Sequence, residues 1–102
     1  MRSRYCAFAL KLPQYIIKTT HKENQDYTTN TQAWKEDILE FCETCSFEKL
    51  EILDFSTAEL DAYVTFRATI FCDNQDSSFT EKSKFLKVDN MWLYHSGEIF
   101  ST

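Results

Sequence analysis

The sequence predicts an α+β fold: helices packed on a strongly bent four-stranded antiparallel sheet that forms a half-open cone. Three features carry this expectation. Apolar residues recur at spacings of three and four up to Cys45, and from Phe47 onward the period becomes two. The stretch EKSKFLKVDNMWLYHSG (81–97) then places Asp89-Asn90 between two strand patterns. Asp and Asn tolerate the positive φ of a tight two-residue hairpin. Helices first and antiparallel strands after them define α+β rather than an alternating architecture.

Residues 1–12 read as a helix with Tyr5, Phe8, Ala9 and Leu12 on one stripe. Pro13 breaks it and opens a second helical turn, since the first helical position needs no N–H. That turn directs Tyr15 and Ile16 inward, and 21–31 (HKENQDYTTNT) reads as a polar loop. Asn30 or Thr31 caps the next helix, with Glu36 and Asp37 in its first turn and Trp34, Ile38, Phe41, Cys42 and Cys45 as its apolar stripe. Residues 49–55 (KLEILDF) form a first strand and 60–72 (LDAYVTFRATIFC) a second. In the second, Val64, Phe66, Ala68, Ile70 and Cys72 share one face, and Tyr63, Thr65, Arg67, Thr69 and Phe71 the other. Such a strand would run about 40 Å at 3.3 Å per residue. A domain of this size has a radius of gyration of about 13 Å. The strand is therefore expected to bend or carry a bulge. DNQDSS (73–78) is the following turn. Closing the hairpin at Asp89-Asn90 pairs Val88 with Met91, Lys87 with Trp92, Leu86 with Leu93 and Phe85 with Tyr94. Glu81, Ser83, Phe85, Trp92 and Tyr94 then share one face, and Lys82, Lys84, Leu86, Val88, Met91, Leu93 and His95 the other.

At 102 residues the chain is long enough for one domain, 1–102, with one core. Nine Phe, five Tyr and two Trp make that core one of bulky rings. The net charge of −5 argues against a nonspecific nucleic-acid binder, which needs a basic stripe to neutralise phosphates. No apolar run approaches a membrane span, and Lys11 and Pro13 interrupt the start as a secretory signal, so a cytoplasmic protein is expected. Cys42 and Cys45 have the C-x-x-C spacing of half a zinc site or a redox pair, but no second close pair or nearby His completes it. Cys6 and Cys72 lie in apolar settings that suit reduced core cysteines, and the isolated C-x-x-C reads as structural, so no metal and no cofactor are expected.

MRSRYCAFAL, YIIKTTH and EKSKFLKVDNMWLYHSG together resemble the central domain of YchJ-like bacterial proteins, whose pattern is MRSRY-x-A-[FY], Y-[LI]-x-x-T-W-H-P, E-R-S-R-F and a D-G-R-W-x-Y hairpin. The resemblance covers nearly the whole chain and implies a nuclear transport factor 2-like (cystatin-like) cone with no established activity. Relatives usually add zinc-binding SEC-C segments outside this domain, and this sequence carries none. Thr20 and Lys22 stand for the family's Trp and Pro around His21, Lys82 and Lys84 for arginines, Asn90 for the turn glycine and Ser96 for an aspartate. Met1 coincides with a methionine that the family places inside a helix, which implies a first helix lacking its opening turns.

The candidate ligand-binding residues are Arg4, Tyr5, His21, Glu81, Ser83, Trp92 and Tyr94. Arg2 and Arg4 offer charge to an anionic ligand or pair with carboxylates, Arg4 in a partly buried pair. Tyr5 and Tyr15 read as core rings with bonded hydroxyls. His21 reads as a base, a phosphate contact or a loop-stabilising residue, and His95 as an outer-face residue. Glu81 shares its face with Ser83, Trp92 and Tyr94. A carboxylate in an apolar pocket serves as a general base, or it pairs with Arg4 or a lysine and closes the cone. The favoured expectation is a noncatalytic small-ligand or protein-interaction module. The alternative is a small-molecule enzyme of the isomerase, dehydratase or hydrolase type with Glu81 as base. Trp92 is expected on the concave side, mostly buried near Phe85 and Tyr94, with Trp92→Ala costing about 3–5 kcal/mol. Leu86, Val88, Met91 and Leu93, beside Tyr63 and Phe71, are expected to form a convex homodimer interface. The competing expectation is that 98–102 folds over that patch.

Overall fold

The computed structural model describes residues 2–100; Met1, where the sequence begins the first helix, lies outside the described residues. Three helices precede the sheet: α1 (Arg2–Ala9), α2 (Pro13–Lys18) and α3 (Thr31–Thr44). Helix α1 ends earlier than the apolar spacing suggests. It buries Arg4 and Ala7 while Ala9 and Leu12 are exposed. Lys11 at φ 59° makes the corner before Pro13, which opens α2 as expected. Ile16 is buried, but Tyr15 points outward and donates its hydroxyl to Ser3 Oγ at 2.7 Å. Asn30 caps α3, its side chain accepting the Ala33 N–H. Because α3 starts at Thr31, Glu36 and Asp37 fall beyond its first turn. Trp34, Ile38 and Cys42 are its buried stripe, whereas Phe41 is exposed and Cys45 has already left the helix.

The sheet contains β1 (Cys45–Thr57), β2 (Asp61–Cys72), the two-residue β3 (Gln75–Asp76), β4 (Phe79–Val88) and β5 (Met91–Phe100). Its order is β1-β2-β4-β5, with β3 paired to the end of β2, so a fifth short strand joins the four expected. Strict alternation in β2 buries Ala62, Val64, Phe66, Ala68 and Ile70 on the concave face. The irregularities expected in this strand occur on its neighbours instead: in β1 at Phe47/Lys49 and Ile52/Asp54, and between β4 and β5 at Lys84/Phe85. Extra residues there let the sheet curl while β2 keeps its register. The hairpin closes as expected, with Asp89 at φ 52° and Asn90 at φ 66°, and all four pairings from Val88–Met91 to Phe85–Tyr94 form.

Register also corrects the cysteine reading. Cys45 and Cys72 stand directly opposite at one end of the β1–β2 ladder and form a disulfide, leaving Cys6 and Cys42 free. Cys6 is exposed rather than in the core. The core itself is divided. One cluster joins the helices through Ala7, Ile16, Trp34, Ile38 and Cys42. The other lies on the sheet and is built on β2 and Phe85.

Candidate functional site

Between the two core clusters lies a cavity of about 600 Å³. Ile16, Trp34 and Ile38 face it from the helices, and Phe66, Ala68, Ile70 and Phe79 from the sheet. Its polar residues include Arg4, Thr20, Asn24, Glu81 and Tyr94, with the exposed Asp26 and Asp37 among the lining groups.

The sheet and the first helix build the polar cluster together. Phe85 pairs with Tyr94, so Glu81, Ser83 and Tyr94 project from the same face. Both hydroxyls turn to one carboxylate oxygen: Ser83 Oγ donates to Glu81 Oε2, and Tyr94 Oη donates to the same oxygen at 3.0 Å. Ser83 is fully buried behind the carboxylate. On the other side of Tyr94 lies Arg4, its guanidinium carbon 4.7 Å from the ring centroid. Arg4 as a residue is only 8% exposed. Its Nη1 contacts Ile16 O at 3.1 Å, Thr19 Oγ1 at 2.8 Å and Thr20 Oγ1 at 3.2 Å. Among the described residues no carboxylate lies within ion-pair distance of Arg4, and the hydrogen bonds it donates all come from Nη1, none from Nη2 or Nε. Burial accordingly lowers the Arg4 pKa to about 10, against the nearby Tyr94 and Glu81, which act to raise it. Burial, reinforced by the Glu81 carboxylate, holds the Tyr94 phenol well above its ordinary range. Glu81 thus pairs with hydroxyls, not with Arg4 or a lysine.

Four of the seven ligand-binding candidates, Arg4, Tyr5, Glu81 and Tyr94, line this cavity, and Ser83 supports it from behind. The Tyr5 hydroxyl is buried without a hydrogen-bond partner among the described residues, and burial raises its pKa. Trp92 is not the buried ring expected. It is 38% exposed, lies under Lys87, and lines a second cavity of about 410 Å³ with Tyr15, Phe55 and Met91. The hairpin gave its face correctly, but that face runs on into an open groove, so the cost expected for a core ring does not apply. His21 is buried away from the cavity lining, beside His95, and its backbone N–H donates to Tyr94 O. The candidate interface residues sit at the turn: Leu86 and Leu93 are half-buried, and Val88 and Met91 are each 39% exposed. Tyr63 and Phe71 do share the convex face, but Thr65, Arg67 and Thr69 separate them.

Of the other residues at the site, the sequence marks Trp34 only as an α3 core position and Thr20 only as a departure from the family pattern, and it carries no site reading for Asn24 or Gly97. Gly97, the chain's single glycine, stands opposite Ser83 in β5. A Cβ there would meet Glu81 Cδ and the Tyr94 hydroxyl at 2.5 Å each. An isolated glycine inside a strand pattern is a sequence signal for such close approach.

A strongly curled antiparallel sheet, closed by three helices around an internal cavity, defines a nuclear transport factor 2-like domain. The family model described as the YchJ middle NTF2-like domain matches residues 1–97, and the chain belongs to that family. A UPF0225 protein of Vibrio vulnificus strain CMCP6 is 32% identical over 99 residues, which are 95% of this chain and 56% of the relative. The chain therefore spans little more than half the length of that relative. A UPF0225 protein of Streptomyces coelicolor is 33% identical over 98 residues, covering 96% of this chain and 70% of its own. The solution structure of a SEC-C motif containing protein from Rhodopseudomonas palustris is 30% identical and superposes with a TM-score of 0.84, over 99% of this chain and 76% of that one. Among the described residues no helix is long and apolar enough to cross a membrane.

Proposed function

We propose that this domain is a noncatalytic module that binds a small molecule inside the cone. The observation that carries the reading is the cavity between the two core clusters, about 600 Å³ with apolar walls and a preorganised polar cluster. Its size falls within the range of about 300–1,000 Å³ usual for small-molecule sites, and a few fixed polar groups on an apolar wall set ligand orientation. Arg4 is anchored through Nη1, which leaves Nη2 and Nε to meet a hydrogen-bond-accepting head group. The apolar body of the ligand would lie along Trp34, Phe66 and Phe79.

The noncatalytic reading follows from how Glu81 is used. A general base needs open access to the proton it removes. Here Oε2 accepts two hydroxyls, and the carboxylate acts as the anchor that orients Tyr94. Thermal-shift measurement against a metabolite panel tests the proposal. A ligand that stabilises the wild type, and does so less with Tyr94→Phe or Glu81→Gln, is the expected result. Stabilisation unaffected by both substitutions would place the ligand elsewhere, and turnover abolished by Glu81→Gln would replace the noncatalytic reading with an enzymatic one.

A further inference from the structure

The chain contains only two histidines, His21 in the polar loop and His95 in β5, and the fold brings them together. Their ring centroids are 5.3 Å apart. Glu23 completes a triangle: its Oε1 lies 3.2 Å from His95 Nε2, and one donor atom from each of the three residues lies within 4.8 Å of the others. We propose that His21, Glu23 and His95 form a binding site for a divalent transition metal, zinc foremost.

The backbone explains why these side chains meet. Phe85 pairs with Tyr94 and Lys84 with Ser96, so His95 is the extra residue of a bulge. A bulge re-aims the side chain it carries, and this one directs His95 to the loop rather than to the outer face of the sheet. The loop is stitched to the same strand. Tyr94 N–H donates to Thr19 O at 2.7 Å, His21 N–H to Tyr94 O at 2.9 Å, and Asn24 Nδ2 to His95 O at 2.8 Å. Both imidazoles therefore stand on backbone segments fixed to each other.

The donor set suits the ion. Two imidazoles and one carboxylate are a frequent three-ligand zinc set that leaves a fourth position open, and imidazole favours zinc, copper and nickel over calcium or magnesium. With bonds of about 2.0–2.2 Å, tetrahedral ligand atoms stand about 3.4 Å apart. Side-chain adjustments on the order of 1 Å would close the triangle. His95 Nδ1 lies 2.9 Å from Ser96 Oγ. In the tautomer that donates Nδ1–H to that hydroxyl, Nε2 presents its lone pair toward Glu23, the outer-shell arrangement usual for a metal-bound histidine. His21 Nδ1 accepts the Glu23 N–H at 3.0 Å, and metal binding at either ring nitrogen gives up that bond.

The test uses the full chain, stripped of metal and titrated with zinc chloride. Long-range proton–nitrogen spectra of the wild type read the two histidine rings directly, and one equivalent of zinc should shift ring nitrogens of both. Calorimetry should show single-site binding that Ser96→Ala weakens roughly tenfold. His95→Ala and Glu23→Ala should weaken it further, while Cys6→Ser with Cys42→Ser leaves it intact. Ring nitrogens unmoved by excess zinc would overturn the site and leave His95–Glu23 as an exposed pair. Binding that survives His95→Ala and Glu23→Ala, or disappears with the cysteine substitutions, would overturn it equally.

Discussion

Gly97→Ala probes the polar cluster through space alone. Gly97 does not have positive φ, so alanine meets no backbone conformational penalty there. The new methyl would stand 2.5 Å from Glu81 Cδ and from the Tyr94 hydroxyl, about 1 Å inside the usual contact distance. The carboxylate and phenol must separate or shift together, and the bonds from Tyr94 and Ser83 to Oε2 cannot both persist. A hydrogen bond to a charged group contributes about 1.5–3 kcal/mol, and overpacking typically costs about 1–3 kcal/mol. The expected destabilisation is therefore about 2 kcal/mol, where an unconstrained Gly→Ala change would stabilise by about 0.4–1 kcal/mol. Urea denaturation of the single and double variants with Tyr94→Phe measures it. If alanine acts by displacing the Tyr94–Glu81 contact, Tyr94→Phe should cost little in the Gly97→Ala background, giving a coupling of about 1 kcal/mol. A Gly97→Ala protein as stable as wild type, with effects that add to those of Tyr94→Phe within about 0.5 kcal/mol, would refute the reasoning.

Three further outcomes follow. Thiol titration of the unfolded, unreduced chain should find Cys6 and Cys42 only, and reduction should cost about 3.5 kcal/mol by loop entropy for a cross-link spanning 27 positions; four reactive thiols would contradict the pairing. The raised Tyr94 pKa means that the folded chain holds a proton the unfolded chain releases, so this stability is fully present below pH 10 and is lost as pH rises above it. Tyr94→Phe should flatten that alkaline decline in a urea series taken across pH, and an unchanged slope would remove Tyr94 as its source. Self-association through the convex corner predicts a dimer in sedimentation at micromolar concentration that dissociates on Met91→Glu with Leu93→Lys; a monomer unaffected by the pair would eliminate that interface.

What could be read from the chain depended on whether the deciding interaction was local. The alternation of β2, the Asp89-Asn90 turn and the Asn30 cap each rest on neighbouring residues, and each was legible. The buried arginine was harder. Its position predicts a partly buried pair with a carboxylate, whereas the acceptors that hold Arg4 inside are tertiary ones on Ile16, Thr19 and Thr20, and the Ala9 and Leu12 end of the apolar stripe is exposed. Trp92 shows the limit of periodicity: alternation assigns a face, but only the reach of the helices decides how deep along that face a ring is covered. The Cys45–Cys72 pair depends on the β1–β2 register across two bulges, which no local spacing contains. Likewise His95 faces His21 only because a bulge interrupts the ladder between Tyr94 and Ser96.

The two tryptophans make the most direct test of ligand binding inside the cone, because Trp34 lines the larger cavity and Trp92 the smaller. In a Trp92→Phe protein, fluorescence reports from Trp34 alone. A compound that raises the melting temperature should change this emission in a saturable way, and Tyr94→Phe should weaken the apparent affinity. Stabilising compounds that leave Trp34 emission unchanged, with affinity indifferent to Tyr94→Phe, would contradict binding between the two core clusters.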